Sequence, residues 1–293
     1  MKCYKGAVLF IDILGFSALT RGRIKLTGEA CAPWEVDSEG SSPHQILAAK
    51  LLMTLRAVLI SAQNGFPAVQ IAQLSDCAFV WSKDIGALTD CGRWILGESI
   101  AQGLLVRGGL AYGDIVEPDK TKKSLGAFVA GDAITRAATF ERAGKGMRVF
   151  TDAATAVAVM ESREGEPFRE LRNPLDGRSV DEWCWYLPAG ELDDERTAAV
   201  VTEALHGAAL RFAMLWRSPK YEWNASSDEG RGQLALATEA VSEALFLLAK
   251  RDANYKFKAS QFEQQTKRSD KAVSKLVDQY QRELIGLYPR AVK

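Results

Sequence analysis

Two aspartates, each set in a strand-like apolar run, constrain this chain more than any other feature: Asp12 in A-V-L-F-I-D-I-L-G-F-S and Asp76 in V-Q-I-A-Q-L-S-D-C-A-F-V-W. An ionised carboxylate in an apolar stretch is costly unless something neutralises it. Two that converge on adjacent strands make a site for a hard cation, which takes oxygen ligands. The pattern points to metal-assisted phosphoryl chemistry.

The rest of the first half supplies the frame. Ala7 to Ile13 is a short apolar run ended by Gly15 and reads as a buried strand. From about Arg21 to Ser42 the chain is polar, rich in Gly and Ser, and reads as a long loop or mobile insertion. His44 to Asn64 has apolar residues at helical spacing, with Ser42 and Pro43 as its start. Val69 to Leu74 and Cys77 to Trp81 flank Ser75-Asp76, which predicts a hairpin whose tight turn presents the second aspartate. A helix from about Leu88 to Gln102 follows, then a glycine-containing strand over 106–116, a helix within 126–144 closed by Gly144, and a strand from Met147 to Thr151. Strand, helix, hairpin, helix, strand, helix, strand is a split β-α-β, α+β pattern of the ferredoxin-like kind. Asp12 and Asp76 would then lie on neighbouring central strands.

Beyond Trp183 to Leu187 the composition changes. Glu195 to Trp216, Leu234 to Lys250 and Gln261 to Leu287 all read as helix, so the chain divides into an α+β domain over 1–190 and an α-helical region over 191–293. Lys plus Arg balances Asp plus Glu at 37 each, so no global charge draws the chain to nucleic acid or anionic lipid. The five cysteines are scattered without a C-x-x-C pair, which fits a reduced, cytoplasmic compartment rather than a disulfide framework or zinc ribbon. Asp12 interrupts the N-terminal apolar run, and no apolar stretch is expected to reach the length of a membrane span.

F-I-D-I-L-G-F-S at 10–17, L-S-D-C-A-F-V at 74–80, V-R-G-G-L-A-Y-G-D-I-V at 106–116 and A-G-D-A-I-T-R-A-A-T-F-E at 130–141 resemble, in order, the strings of class III nucleotidyl cyclases. The resemblance spans about residues 5–188 and none of the tail. It implies a cyclase-type catalytic domain, two divalent ions (Mn2+ or Mg2+) and sites built at a two-fold symmetric homodimer interface. Asp12 and Asp76 resemble the paired metal-binding aspartates, and the carbonyl of Ile13 falls where the family uses a third oxygen ligand. Gly15, Phe16 and Ser17 would offer backbone N–H groups to the β and γ phosphates.

The departures bear on the base. Purine cyclases of this class read it with a Lys and an Asp that align at about Ala72 and Phe128, neither of which can make those hydrogen bonds. The family's transition-state Asn and Arg align with Thr135 and Thr139, while Arg136 lies one residue beyond Thr135; Arg136, Arg107 and Arg142 are all candidates for a catalytic cation. Compact cyclases that keep the metal pair but lack the purine readers resemble the pyrimidine cyclases of bacterial Pycsar antiphage systems. That implies conversion of UTP to 3′,5′-cyclic UMP as a second messenger in antiphage defence, with UTP favoured over CTP. Gln70, Gln73 or backbone groups could meet the uracil edge. The rival readings are a purine cyclase with an altered base pocket and a catalytically silent nucleotide-binding domain.

Other residues carry plainer expectations. His44 and His206 lack partners at ligand spacing, and Gly108, Gly109 and Gly113 are expected to permit close packing. Lys120, Lys122 and Lys123 form a basic cluster in a loop, Arg178 lies near where the family places a phosphate-binding Lys, and the clusters K-F-K and K-R-S-D-K read as exposed helix faces.

Overall fold

The first strand, β1 (Lys2–Ile13), organises the molecule because its residues alternate between two buried surfaces. Ala7, Leu9, Ile11 and Ile13 enter the main core, whereas Val8 joins a smaller apolar cluster on the opposite face. Asp12 lies on that second face. The computed structural model describes residues 1–119, 128–187, 218–249 and 284–290, together with 189, 203, 207–208, 215, 251, 253–259, 275 and 278.

After β1 the chain turns through Gly15 into the short helix α1 (Phe16–Thr20) and then α2 (Gly28–Cys31), capped by Thr27. The expectation of a mobile loop over 21–42 is corrected here. Ile24, Ala30, Cys31, Trp34 and Val36 are all buried in the main core, so the apolar minority of this polar stretch anchors it. Helix α3 (Pro43–Gly65) places Pro43 in its first turn and buries Leu47, Leu51, Leu55, Val58 and Leu59. It also exposes Ile46, Met53 and Ile60, and that second apolar face gives it the length and composition of a membrane span, contrary to the sequence expectation.

The hairpin β2 (Gln70–Leu74) and β3 (Cys77–Ser82) pairs Leu74 with Cys77, leaving Ser75 and Asp76 as a two-residue turn, as the sequence predicts. Helix α4 (Ile85–Ala101) is capped by the Asp84 carboxylate, which accepts from Ala87 N–H at 3.0 Å. It leads into β4 (Val106–Glu117), then α5 (Asp132–Phe140), β5 (Val149–Thr151), α6 (Ala153–Ser162), β6 (Phe168–Arg172) and β7 (Ser179–Trp183). Helix α5 ends at Phe140 rather than Gly144, whose backbone instead packs against the Phe150 ring. Within the C-terminal region lie α7 (Glu222–Ala225), α8 (Asp228–Leu248) and β8 (Ile285–Pro289).

Eight strands form one sheet in the order β2-β3-β1-β4-β5-β7-β6-β8, antiparallel throughout except for the parallel pair β4/β5. Its first four strands follow the ferredoxin-like split β-α-β order, with α3 and α4 over the main-core face and α5 over the other. The architecture is α+β, as expected. Where helix was predicted to run to Leu287, residues 285–289 form strand β8, paired with the edge of β6. Gly286 and Pro289 are poor helix residues, and pairing satisfies an otherwise open edge. Most of the predicted helices over 195–216 and 261–284, together with His206, the 120–123 lysines and the K-R-S-D-K cluster, lie outside the described residues.

Candidate active site

Asp12 occupies the next-to-last position of β1, registered against Cys77 of β3 on one side and Arg107 of β4 on the other. Directly paired residues in adjacent strands project to the same face. Three cross-strand rows therefore lie on this side of the sheet: Leu74, Cys77, Asp12 and Arg107; then Ala72, Phe79, Phe10 and Gly109; then Gln70, Trp81, Val8 and Ala111. Successive rows are two residues, or about 7 Å, apart along the strands.

The β2–β3 turn closes on the end of β1. Ile13 N–H donates to the Asp76 carbonyl at 3.1 Å, which fixes the turn beside Asp12. Ser75 has φ of 62°, a left-handed conformation that costs a non-glycine residue free energy and persists only where neighbours enforce it. Two contacts do so: Gln73 Nε2 donates to the Ser75 carbonyl at 3.0 Å, and Cys77 Sγ to the Leu74 carbonyl at 3.0 Å.

The charges around Asp12 do not balance. Burial pushes its carboxyl up to about 6; Arg107 opposes this, and Glu141 and Asp76 add to it. The Arg107 guanidinium is shared: Nη2 lies 3.4 Å from Asp12 Oδ2, while Nε is in ion-pair contact with Glu141 at the end of α5. Arg107 is thus divided between two carboxylates in a neighbourhood of three, and among the described residues the only other guanidinium there, exposed Arg142, reaches Glu141 and not Asp12. Cys77 feels the same excess, its thiol pushed up to about 11 by burial and then by Asp12, Asp76 and Glu141.

Helix α5 reaches this position because Gly109 lets it. A Cβ there would stand 2.0 Å from the Ala137 carbonyl oxygen and 2.5 Å from the Glu141 nitrogen, so the helix rests on bare strand backbone. Gly108 and Gly113 are likewise crowded, by the Phe10 carbonyl oxygen at 2.7 Å and Asp132 at 3.1 Å. All three glycines serve packing.

The α5 candidates lie elsewhere. Arg136 donates to the Tyr112 carbonyl at 3.1 Å, to Asp132 at 3.0 Å, to Asp152 and to Thr155 at 3.2 Å. Tyr112 is five positions along β4 from Arg107, about 16 Å away. Arg136 is therefore a clamp between α5 and α6, remote from Asp12. Thr139 donates back to the Thr135 carbonyl at 2.8 Å, and Thr135 faces the Gly131 carbonyl at 3.5 Å. Arg142 is exposed and lies 3.7 Å from Glu141; Arg178 is exposed beside Asp176 in the β6–β7 hairpin. His44 bonds the Ile24 carbonyl at 2.7 Å, a structural tie for the anchored insertion.

The positions expected from the resemblance to read the base are apolar. Ala72 is registered on Phe79, whose ring lies 4.7 Å from that of Phe10, and Phe128 is 54% exposed. Gln73 projects to the opposite face with its amide committed to Ser75, which removes it as a base reader on Asp12's face. Gln70 shares that face but stands two rows beyond Asp12's.

At the end of β1, Gly15 adopts φ of 83°, a region that favours glycine, and no side chain caps α1. The Phe16 ring is buried, which leaves only its backbone available, while Ser17 is exposed. Behind the turn stands Asn224, from the distant C-terminal region: its Nδ2 donates to the Leu14 carbonyl at 3.1 Å. Sequence reasoning missed Glu141 as the third carboxylate and Asn224 altogether. Glu141 was legible as the end of the T-F-E string, whereas a contact across 210 residues left no local signal.

Among the described residues no group of three or more His, Cys, Asp or Glu side chains is arranged to hold a metal ion. The acids gathered at the β1 end are Asp12, Asp76 and Glu141. Their all-oxygen chemistry and unmet demand for positive charge fit a hard divalent cation. A separate cavity of about 730 Å³, lined by Phe66, Arg93, Trp94, Trp185 and Tyr186 among others, lies beside α4 away from the aspartates.

No family model and no curated protein matches the chain. Solved structures similar to it include a bacterial light-regulated adenylyl cyclase, at 16% identity and a TM-score of 0.43 over 71% of this chain and 100% of that one. The guanylyl cyclase Cya2 is similar at 15% identity and a TM-score of 0.42, covering 62% of this chain and 91% of that one. The guanylate cyclase domain of RhGC from Catenaria anguillulae, in complex with GTP, is similar at 15% identity and 0.41, over 62% and 97%. Likeness at that level assigns no residue and no activity to this chain.

Proposed function

We propose that this chain is a divalent-metal-dependent nucleotide cyclase whose substrate is UTP. The ribose 3′-oxygen would bond to the α-phosphorus, the bond to the bridging oxygen of pyrophosphate would break, and the hydroxyl proton would pass to solvent. The observation that carries this reading is the convergence of Asp12 and Asp76 on one strand end, with Asp12 pushed up to about 6 by burial and by neighbouring carboxylates that Arg107 cannot offset. Desolvation combined with specific charged neighbours is the kind of perturbation from which functional sites are built.

Asp12, Asp76 and the carbonyl of Ile13 would hold the two cations. When bound, the ions supply neutralisation of the triphosphate and a lowered pKa at the 3′-hydroxyl. This chain's own residues do the rest: the β1–α1 turn orients the phosphates, and the sheet face presents the base with Ala72, Phe79 and Phe10, a surface without side-chain hydrogen-bonding groups. Such a surface lacks the means to reward a purine edge. Exposed Leu74 (56%) and Phe128 (54%) on or beside this face suit burial by a second copy, whose α5 would complete the site. The resemblance to pyrimidine cyclases adds a role as signal generator in antiphage defence.

Incubation of the purified protein with each of the four nucleoside triphosphates and Mn2+, with products resolved by chromatography and mass spectrometry, tests this. Cyclic UMP and pyrophosphate are expected, abolished by Asp12→Ala or Asp76→Ala in a folded protein. Dominant cyclic AMP or GMP would refute the base argument. No cyclic product from any nucleotide would refute the activity.

A further inference from the structure

The C-terminal region contributes a residue to the back of the candidate site. Helix α7 inserts Trp223 and Asn224, 0% and 2% exposed, behind the turn that follows Asp12 and Ile13. The Asn224 amide donates to the Leu14 carbonyl at 3.1 Å, and the preceding peptide is held through the Leu14 N–H, which donates to the Leu105 carbonyl at 2.8 Å. A Cβ on Gly15 would lie 3.2 Å from Asn224 Nδ2 and 3.4 Å from the Trp223 ring, so α7 packs directly on this backbone.

We propose that Asn224 is a positioning residue for catalysis, making the C-terminal region part of the device that sets the geometry of the Ile13–Gly15 backbone. The inference rests on the cyclase reading above. A trans peptide points its C=O and N–H in opposite directions. Anchoring the Leu14 oxygen on Asn224 therefore fixes the Gly15 N–H facing away from α7, and it fixes the plane of the chain one residue after the Ile13 carbonyl. No bond inside the α+β core holds the Leu14 carbonyl among the described residues.

The segment bearing Asn224 is itself tied down on both sides. Trp34 Nε1 donates to the Lys220 carbonyl at 3.3 Å, and the Tyr221 hydroxyl bonds the Ile100 carbonyl. The Asn224 carbonyl accepts from Ser227 Oγ at 3.2 Å, and the Ser227 side chain caps α8 by accepting from Gly230 N–H at 3.0 Å.

The test is Asn224→Asp, which keeps the shape and sets an acceptor against the Leu14 carbonyl, compared with Ser227→Ala, which loosens the same segment without touching Leu14. Three quantities are measured on the full chain: unfolding temperature, Mn2+ affinity by electron paramagnetic resonance, and kcat and KM with UTP. Loss of one such bond is worth about tenfold. Asn224→Asp should weaken Mn2+ binding and lower kcat by about that factor or more, with KM within about twofold, while Ser227→Ala leaves kcat and Mn2+ affinity unchanged. A lower unfolding temperature in Asn224→Asp with kcat and Mn2+ affinity intact would overturn the proposal, as would equal catalytic losses in both variants. If the wild type cyclises nothing, the cyclase reading falls, and the Mn2+ titrations still decide whether Asn224 positions the turn.

Discussion

Replacing Asp12 by Asn is expected to stabilise the metal-free protein while abolishing its activity. The ordinary value for this carboxyl is 3.8, and in the fold it is pushed up to about 6, first by burial, then by Glu141 and Asp76 against the partial relief of Arg107. The folded state therefore keeps a proton on Asp12 between about pH 4 and 6 that the unfolded chain has released. Its contribution to stability is fully present below pH 3.8 and is lost as pH rises through about 6. A rise from 3.8 to about 6 corresponds to about 3 kcal/mol. At pH 8, then, ionised Asp12 costs the fold up to that amount, and a neutral, isosteric Asn removes the cost while forfeiting the 3.4 Å approach of Arg107.

At roughly 2–4 °C per kcal/mol, Asp12→Asn should unfold up to roughly 6–12 °C above wild type in EDTA at pH 8. The gap should shrink as pH falls towards 4, because wild-type Asp12 regains its proton there. Metal supplies an independent check: a cation at one hundred times its Kd adds about 2.7 kcal/mol. Wild type in saturating Mn2+ should accordingly close most of the gap, and the variant should respond little. Thermal unfolding across pH 4–8, with and without Mn2+, reads all of this. A variant that melts at or below wild type at pH 8, or that keeps the wild-type pH dependence, would refute the argument that Asp12 is an uncompensated charge.

Gly109→Ala tests the seating of α5. Its Cβ would meet the Ala137 carbonyl oxygen at 2.0 Å where an ordinary contact begins at 3.4 Å, so the helix and Glu141 must retreat by more than 1 Å. Urea unfolding should show a loss of about 1–3 kcal/mol, and turnover should fall by about a hundredfold; an unchanged rate would mean α5 position is irrelevant to the site. Arg136→Met separates clamp from catalyst. Lower stability with Mn2+ affinity and kcat within a few fold is expected from its bonds to Tyr112, Asp132 and Asp152, and a thousandfold loss of kcat at wild-type stability would restore Arg136 as the catalytic cation.

What could be read from the sequence was what local pattern encodes. The continuous apolar run from Ala7 to Ile13 gave a strand buried on both faces, and two residues between apolar runs gave the hairpin that presents Asp76. The 21–42 stretch misled because five anchoring residues are spread through many polar ones, and burial of a few side chains outweighs local composition. Register was not legible. Only the pairing of Ala72 with Phe79 and of Asp12 with Cys77 reveals that Gln73 faces away, since a shift of one residue exchanges the faces. Strand β8 and Asn224 were invisible for a different reason: both gain their role from partners more than a hundred residues away.

A second buried carboxylate shows why the imbalance at Asp12 carries meaning. Glu182 on β7 is fully buried, and burial alone would raise it, yet Arg148 at 2.6 Å and Arg169 at 2.7 Å hold it below the usual carboxylate range. Two guanidiniums serve that one acid, both themselves buried, which is the arrangement a structural carboxylate requires. At the end of β1 the balance is different: Arg107, the guanidinium beside Asp12, is shared with Glu141, which exposed Arg142 also approaches, and Asp12 stays raised among these acids at a more open position where neutralisation would be easier to supply. The same sheet thus fully compensates a charge at its far end and leaves one short of cation at the strand end beside the hairpin turn. Packing demands do not explain the shortfall, because an Asn at position 12 would fit the same space. The divalent cation of the proposed function would supply the missing charge, where a permanent arginine would leave no room for it.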